Sequence, residues 1–565
     1  MSFRRLTILS TLSLGAIAGI ALSANASGEQ DLTSTFLNNR TAYIPSQCYT
    51  KTRDDAGEVH NPCFTCHVRS RAPNYVNDRD LQLAYDFPGP ALKNPWSNLF
   101  VDRRPLVDAI SDKDIVAYIR QDNYRDADGM IILASRLQSP PPGWDFDKDG
   151  SWAGFVPDVH FDFDEAGFDH APDGSETGWR AFAYTPAPGT FWPAAGSADD
   201  VLIRLPAAYR QTQDGAISRE VYQLNLAIVE ALIKRHDIGM SPADETEYGI
   251  DLDKDGTLGT ADHIAYAFDP RNGVSMSYVG LAATLGYAEA PLAAGLYPLG
   301  TEFAHSVRYV DIDDEGSVRM APRMKEFRYM KKTTWATYGD LEEAALAEIK
   351  EASDFPNRIR LFDGNVESGI DNATGWRLQG FIEDANGDLR PQTFEETVFC
   401  MGCHGGVGVT DDSTFAFPRK LAYGNDANGW RHTGNDSGLY AVPDPKRADG
   451  RPEYQTYLEQ NHAGDEFRSN NEIIARFFAP DGSLDPALTA RMNEDISALI
   501  NPSPERALLL DKAYRTIVME QSYDKGRDAN VTSLAMSVHR EVEDGEPTGI
   551  ETPIEPWFFQ PPQAE

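Results

Sequence analysis

Two pentapeptides of one pattern, Cys63-Phe64-Thr65-Cys66-His67 and Cys400-Met401-Gly402-Cys403-His404, hold four of the five cysteines in a chain of 565 residues. Each sets two thiols and an imidazole on a single turn, so any fold must leave room around both turns. The fifth cysteine, Cys48, reads as a buried free thiol, with an intermolecular disulfide or a ligand role as the other options. At this length the chain makes about four domains at most. A composition of 41% hydrophobic and 24% charged residues excludes a coiled coil, a collagen-like polymer and a wholly disordered chain. Acidic residues outnumber basic ones by 87 to 51, a net charge of −36. Nucleic acid and anionic membranes are therefore poor partners for the chain as a whole.

The chain opens as an export signal: Arg4 and Arg5, an apolar run from Leu6 to Leu22, and Ala24-Asn25-Ala26 before Ser27. Cleavage after residue 26 predicts an exported protein, periplasmic in a Gram-negative cell, with no stable membrane span afterwards. The next apolar stretch, Tyr278 to Gly300, contains Glu289, Pro291 and Pro298 and reads as turns and short helices in a core.

Cys-x-x-Cys-His is the attachment signature of c-type haem. Two thiols on one helical turn reach the two vinyl-derived carbons of a porphyrin edge, and the adjacent imidazole comes beneath the iron. A thioredoxin-like pair or a four-cysteine zinc site uses similar spacing without requiring the histidine. With only 11 histidines in the chain, one after each pair favours haem. On these motifs the chain resembles a dihaem c-type cytochrome. The resemblance implies two covalent haems, held by Cys63, Cys66, Cys400 and Cys403 with His67 and His404 as proximal ligands. The 337 positions between Cys63 and Cys400 depart from the closer motif spacing of dihaem peroxidases and oxidases. Candidate opposite ligands are His60 for the first site and His432 or His462 for the second, with Met324, Met330, Met492, Met519 and Met536 as weaker ones. Phe64, Tyr75, Phe399 and Phe415 are candidates to exclude water from the rings.

A second kind of site is read from acidic loops. Asp251, Asp253, Asp255, Thr257 and Asp262 follow EF-hand spacing with Gly256 at position 6, although Asp262 stands where Glu is usual. A structural Ca²⁺ is the expectation there. Asp145, Asp147 and Asp149 begin a similar loop, with Asp162 and Asp164 nearby. No G-x-S-x-G elbow, P-loop, H-E-x-x-H site or Rossmann fingerprint occurs.

The expected architecture is multidomain and mainly α, with irregular loops and minor β, and with haem-binding units at both ends. Residues 1–26 form the signal and 27–138 an N-terminal haem unit. Residues 144–390 form a middle α/β scaffold or partner domain, 391–545 a C-terminal haem domain and 546–565 a tail. Strands are predicted at Val201–Pro206 and Ser306–Val310. Helices are predicted at Leu106–Gln121, Gly129–Leu137, Val221–His236, Asn471–Phe478 and Pro504–Met519, and at Phe394–Phe399 leading into the second motif. The resemblance implies an exported carrier of single electrons between redox proteins or small donors and acceptors. A peroxidase or oxygenase with one accessible haem, and a subunit of an extracellular redox assembly, are the alternatives.

Overall fold

The computed structural model describes residues 30–53, 57, 59–189, 195–421, 429–432, 442–447, 449–461 and 470–555. The predicted export signal, His462 and residues 556–565 lie outside the described residues.

Ten strands form one antiparallel sheet, which corrects the expectation of a mainly α chain with minor β: the fold is mixed α/β. In chain order the strands are β1 (Phe168–His170), β2 (Glu176–Phe182), β3 (Ala198–Asp199), β4 (Val201–Arg204), β5 (Glu302–Ile312), β6 (Val318–Lys332), β7 (Gly364–Asn365), β8 (Gly369–Asp371), β9 (Trp376–Glu383) and β10 (Leu389–Pro391). The order across the sheet is β7-β8-β9-β6-β5-β4-β2-β1, with β3 added to β5 and β10 to β9. The β5–β6 hairpin pairs Lys331 with Glu302 and Val318 with Ile312, with register shifts between Met320 and Glu326.

β6 hides from a hydropathy reading because seven of its fifteen residues are charged and one is proline. Most of those charges are neutralised inside the protein. Arg323 pairs with Glu383 at 2.7 Å. Glu326 accepts from Arg328 and Arg527, both at 2.9 Å. Lys325 donates to Ser197 Oγ at 2.9 Å, and Lys332 pairs with Asp412. A buried charge is tolerated only when partnered, so the ion pairs let a polar sequence occupy the middle of a sheet.

The helices follow their sequence signals more closely. α1 (Asp112–Ile119) is capped by Ser111. α2 (Arg219–Lys234) is capped by Ser218, stops where Arg235 turns left-handed, and buries Leu226, Ile228, Val229, Leu232 and Ile233. α3 (Tyr338–Asp354) begins with a Thr337–Asp340 capping box and has no buried residue. α4 (Phe394–Val398), opened by a Thr393–Glu396 capping box, leads into α5 (Met401–His404). α6 is Pro504–Glu520. No helix among the described residues is long and apolar enough to cross a membrane.

The largest core cluster runs in sequence from Ala42 to Val542. The two ends of the chain are laced together by bridges between Thr50 and Val538, Lys93 and Glu541, and Ala84 and Pro547. Residues expected as the start of a tail are part of this lacing: Thr548 donates its N–H to Leu83 O at 3.1 Å, and Ile554 donates to Gln82 Oε1 at 2.7 Å.

Phe327 of β6 is fully buried, with ring centroids of Tyr124 and Phe161 at 5.5 and 6.2 Å. Phe327→Ala is expected to cost about 3–5 kcal/mol in a denaturant melt, whereas the exposed Arg377→Ala on β9 should stay within about 0.5 kcal/mol of wild type.

Candidate functional site

Both pentapeptides form the same turn. The N–H of His67 donates to Cys63 O at 2.8 Å and that of Cys66 to the same oxygen at 3.2 Å; His404 and Cys403 repeat this on Cys400 O at 3.0 and 3.2 Å. Each imidazole is oriented through Nδ1, by Asp78 Oδ2 at 2.8 Å for His67 and by Ser413 O at 2.8 Å for His404. With Nδ1–H donating, Nε2 is the lone-pair nitrogen on each ring, the arrangement that supports a ligating histidine. Each histidine carbonyl is held by a side-chain amide, His67 O by Gln82 and His404 O by Asn372, both at 2.6 Å.

The fold brings the two turns against each other. Asp78 also accepts from Val68 N and from Gly408 N, both at 3.1 Å, and Val409 N donates to Cys66 O at 3.2 Å. Asn74 Nδ2 donates to Val407 O at 3.0 Å and to Thr410 O at 2.9 Å. The close approach demands glycine at two places. A Cβ on Gly408 would collide with Asp78 Oδ1 and Val68 O, and one on Gly402 would meet Tyr43 O at 2.5 Å and Pro45 Cγ at 2.6 Å. The sheet supplies the floor: Lys332 at the end of β6 pairs with Asp412, whose Oδ2 also accepts from Tyr297 N at 2.9 Å.

Together these segments wall a mainly apolar cavity of about 520 Å³. Cys48, Cys63, Cys66, His67 and Cys403 line it, with Tyr75 and Phe399 among its aromatic walls. Across from them stands α3, presenting Leu341, Ala344, Ala345 and Glu348 to the cavity. Cys48, outside both motifs and read from the sequence as a free thiol with a ligand role among the options, is brought to the cavity by the fold. Asn61 holds it in place by donating to Cys48 O at 2.8 Å, while Asn61 Oδ1 accepts from Cys63 Sγ at 2.8 Å. Burial pushes the Cys63 thiol up to about 12 and that of Cys66 to about 11, and raises Cys48, Cys400 and Cys403 as well. These are protonated thiols that need a cationic or electrophilic partner to ionise. Burial also holds His404 neutral, with its pKa down to about 4.

The remaining predicted ligands lie elsewhere. His60 contacts Gln460 Nε2 at 3.2 Å and does not line the cavity. His432 is bound to Asp200 Oδ2 at 2.6 Å and stacks on Phe163, also away from it. The acidic loop does not close as the EF-hand spacing implied. It links the strands of a hairpin, Ile238–Asp244 and Thr260–Ile264, and Asp262 sits on the second strand beside His263. Asp255 turns back to accept from Thr257 N and Oγ1, both at 2.8 Å. Asp251 and Asp253 instead converge with Glu245, a residue outside the motif, with ligand oxygens within 4.8 Å of one another. Asp145, Asp147 and Asp149 converge likewise. Among the described residues these two carboxylate groups are where three ligand atoms already meet, and they suit a hard cation.

Two measurements probe this frame. Gly408→Ala is expected to destabilise by about 1–3 kcal/mol and to move the His67 Nδ1 resonance, because Asp78 must give way. Asp411 beside the site is buried, and burial lifts its carboxyl from 3.8 to about 6 despite Arg235 and Arg71. The folded chain thus keeps a proton there that the unfolded chain releases. The stability this group contributes is complete below about pH 4 and is lost as pH rises towards 6. In Asp411→Asn, the denaturation midpoint should lose that part of its pH slope between pH 4 and 6.

A family model described as that of a lipoprotein matches residues 32–495. An uncharacterized lipoprotein of Aquifex aeolicus (strain VF5) is 32% identical over 604 aligned positions, covering 97% of each chain. No solved structure matches. These findings correct the resemblance drawn from the pentapeptides. The relatives are described as lipoproteins, with no cytochrome among them, and the described groups that gather metal ligands are carboxylates rather than the thiols and imidazoles. The assignment to dihaem cytochromes, its two covalent haems, and the carrier, peroxidase, oxygenase and redox-assembly readings built on it are replaced accordingly, while the geometry of the turns stands. Matched over most of its length and nearly a third identical to a full-length relative, the chain belongs to this family of lipoproteins, a class consistent with export or membrane anchoring.

Proposed function

We propose that the protein is a periplasmic ligand-holding protein whose cavity takes a bulky, mainly apolar molecule bearing a centre that thiols and imidazoles seek. One observation carries this reading: both Cys-x-x-Cys-His turns and the inner stripe of α3 converge on the same apolar cavity of about 520 Å³. That volume suits a molecule of drug or cofactor size rather than a bare ion. Apolar walls bind the body of the ligand, and a few placed polar groups fix its orientation. Cys63, Cys66 and Cys403 are the soft donors on the wall. His67 offers Nε2, fixed by Asp78, and Cys400 and His404 complete the second turn. A partner that captured a buried thiol would displace its proton, so binding is expected to release protons and to weaken at low pH.

The test is native and denaturing mass spectrometry of the protein isolated from the cell that makes it. The expected result is a mass excess over the bare chain of roughly a few hundred daltons, the size such a cavity accepts. Cys63→Ala and Cys403→Ala should each lower the occupied fraction severalfold while leaving the circular dichroism spectrum unchanged. A native mass equal to the bare chain, or occupancy indifferent to both substitutions, would overturn the proposal.

A further inference from the structure

The outward face of α3 leaves two large apolar side chains in solvent. A helix in a globular protein draws most of its stability from burying one face, yet no residue of this seventeen-residue helix is buried. Its N-terminal end is tied down by Tyr338, whose hydroxyl donates to Ala294 O at 2.5 Å. Leu341, Ala344, Ala345 and Glu348 face the cavity. About 100° round the helix, Leu346 and Ile349 form a second apolar stripe, 62% and 60% exposed, and Phe355 just beyond the helix is 63% exposed.

Charge decides what could cover that stripe. The helix carries Asp340, Glu342, Glu343, Glu348, Glu351 and Asp354 against the single base Lys350. Lys350 pairs with Asp354, and Arg358 after the helix pairs with Glu348 at 2.7 Å. A second copy would set the same carboxylates against each other, and an anionic lipid surface would be repelled in the same way. An apolar stripe rimmed by carboxylates is complementary to an apolar centre rimmed by cations.

We propose that the Leu346–Ile349 face of α3 docks a partner protein that presents an apolar centre within a Lys/Arg rim. Because the same helix walls the cavity, such a partner would sit at the wall opposite the cysteines. The inference rests on the helix alone and holds whether or not the cavity takes the ligand proposed above.

The test uses the full chain and, as probe, a fluorescent synthetic amphipathic helix of leucine and lysine, read by anisotropy at two salt concentrations. Wild type is expected to bind, more weakly at high salt. The double variant Leu346→Ser, Ile349→Ser should lose about tenfold in affinity with unchanged circular dichroism. Glu342→Gln with Glu343→Gln should reduce the salt dependence. Asp314→Asn with Glu315→Gln, on the exposed β5–β6 turn, should bind as wild type does and so controls for general acidity. Equal binding by wild type and the Leu346→Ser, Ile349→Ser variant, or no binding by wild type, would overturn the proposal. So would a concentration-dependent dimer that this variant abolishes, since the face would then meet a second copy.

Discussion

The carboxylate of Asp78 is the joint on which the site depends. One oxygen accepts from Val68 N and the other from both His67 Nδ1 and Gly408 N. A single charged acceptor thereby orients the first imidazole and ties its turn to a backbone segment 330 positions away. Hydrogen bonds to an ionised acceptor are the stronger kind, and here three converge on a group only 11% exposed. Without this joint, the two turns would be left tied by Val409 N on Cys66 O and by the Asn74 amide, and the first imidazole would lose its orientation.

The sheet solves a different problem. Its long central strand brings Arg323, Lys325, Glu326, Arg328 and Lys332 into a region with little water, and each has an opposite charge or a polar atom within reach. Such pairs add little net stability compared with a well-packed apolar core, but each is costly to break. They act as directional fasteners. Lys332 reaches Asp412, Arg527 reaches Glu326, and Arg390 forks onto Glu396 at 2.8 and 2.9 Å beneath the second turn. The rigid part of the molecule is thus bolted to the part that carries the thiols.

Much of the local structure was legible in the sequence. α2 and α6 carry helical periodicity, and α4 runs into the second turn where a helix over Phe394–Phe399 was expected. The β4 strand opens with an apolar run, and the middle of β5 alternates Ser306 and Arg308 with Val307 and Tyr309. β6 was illegible because Arg323, Lys325, Glu326 and Lys332 are among its buried positions and break any hydrophobic alternation, and the partners of Arg323 and Glu326 include Glu383 and Arg527, 60 and 201 positions away. The site was half legible. The pentapeptides marked where the thiols and imidazoles are, and Cys48 was read as a free thiol with a ligand role among its options, but nothing local announced Asp78 or Glu245, which join their groups only through the fold. The Asp251 loop shows the converse failure, since good local spacing met a hairpin that turned Asp262 away. The cytochrome assignment failed in a related way: a five-residue pattern is compatible with more than one family, and the full-length comparison decided between them.

The lacing of the two chain ends has a consequence in time. Tyr85 beside the first turn takes its backbone partner from Glu546, and Gln82, which holds His67, is itself held by Ile554. The wall around Gln82 is therefore secured by a residue 472 positions later. A contact of such high sequence separation forms late, because the entropy of closing so long a loop precedes any gain. The N-terminal turn is made first and stays unfastened until the C-terminal segment has been synthesised and folds onto it. Cys63 and Cys66 sit next to that wall, so the order of synthesis leaves their surroundings among the last parts of the fold to be set.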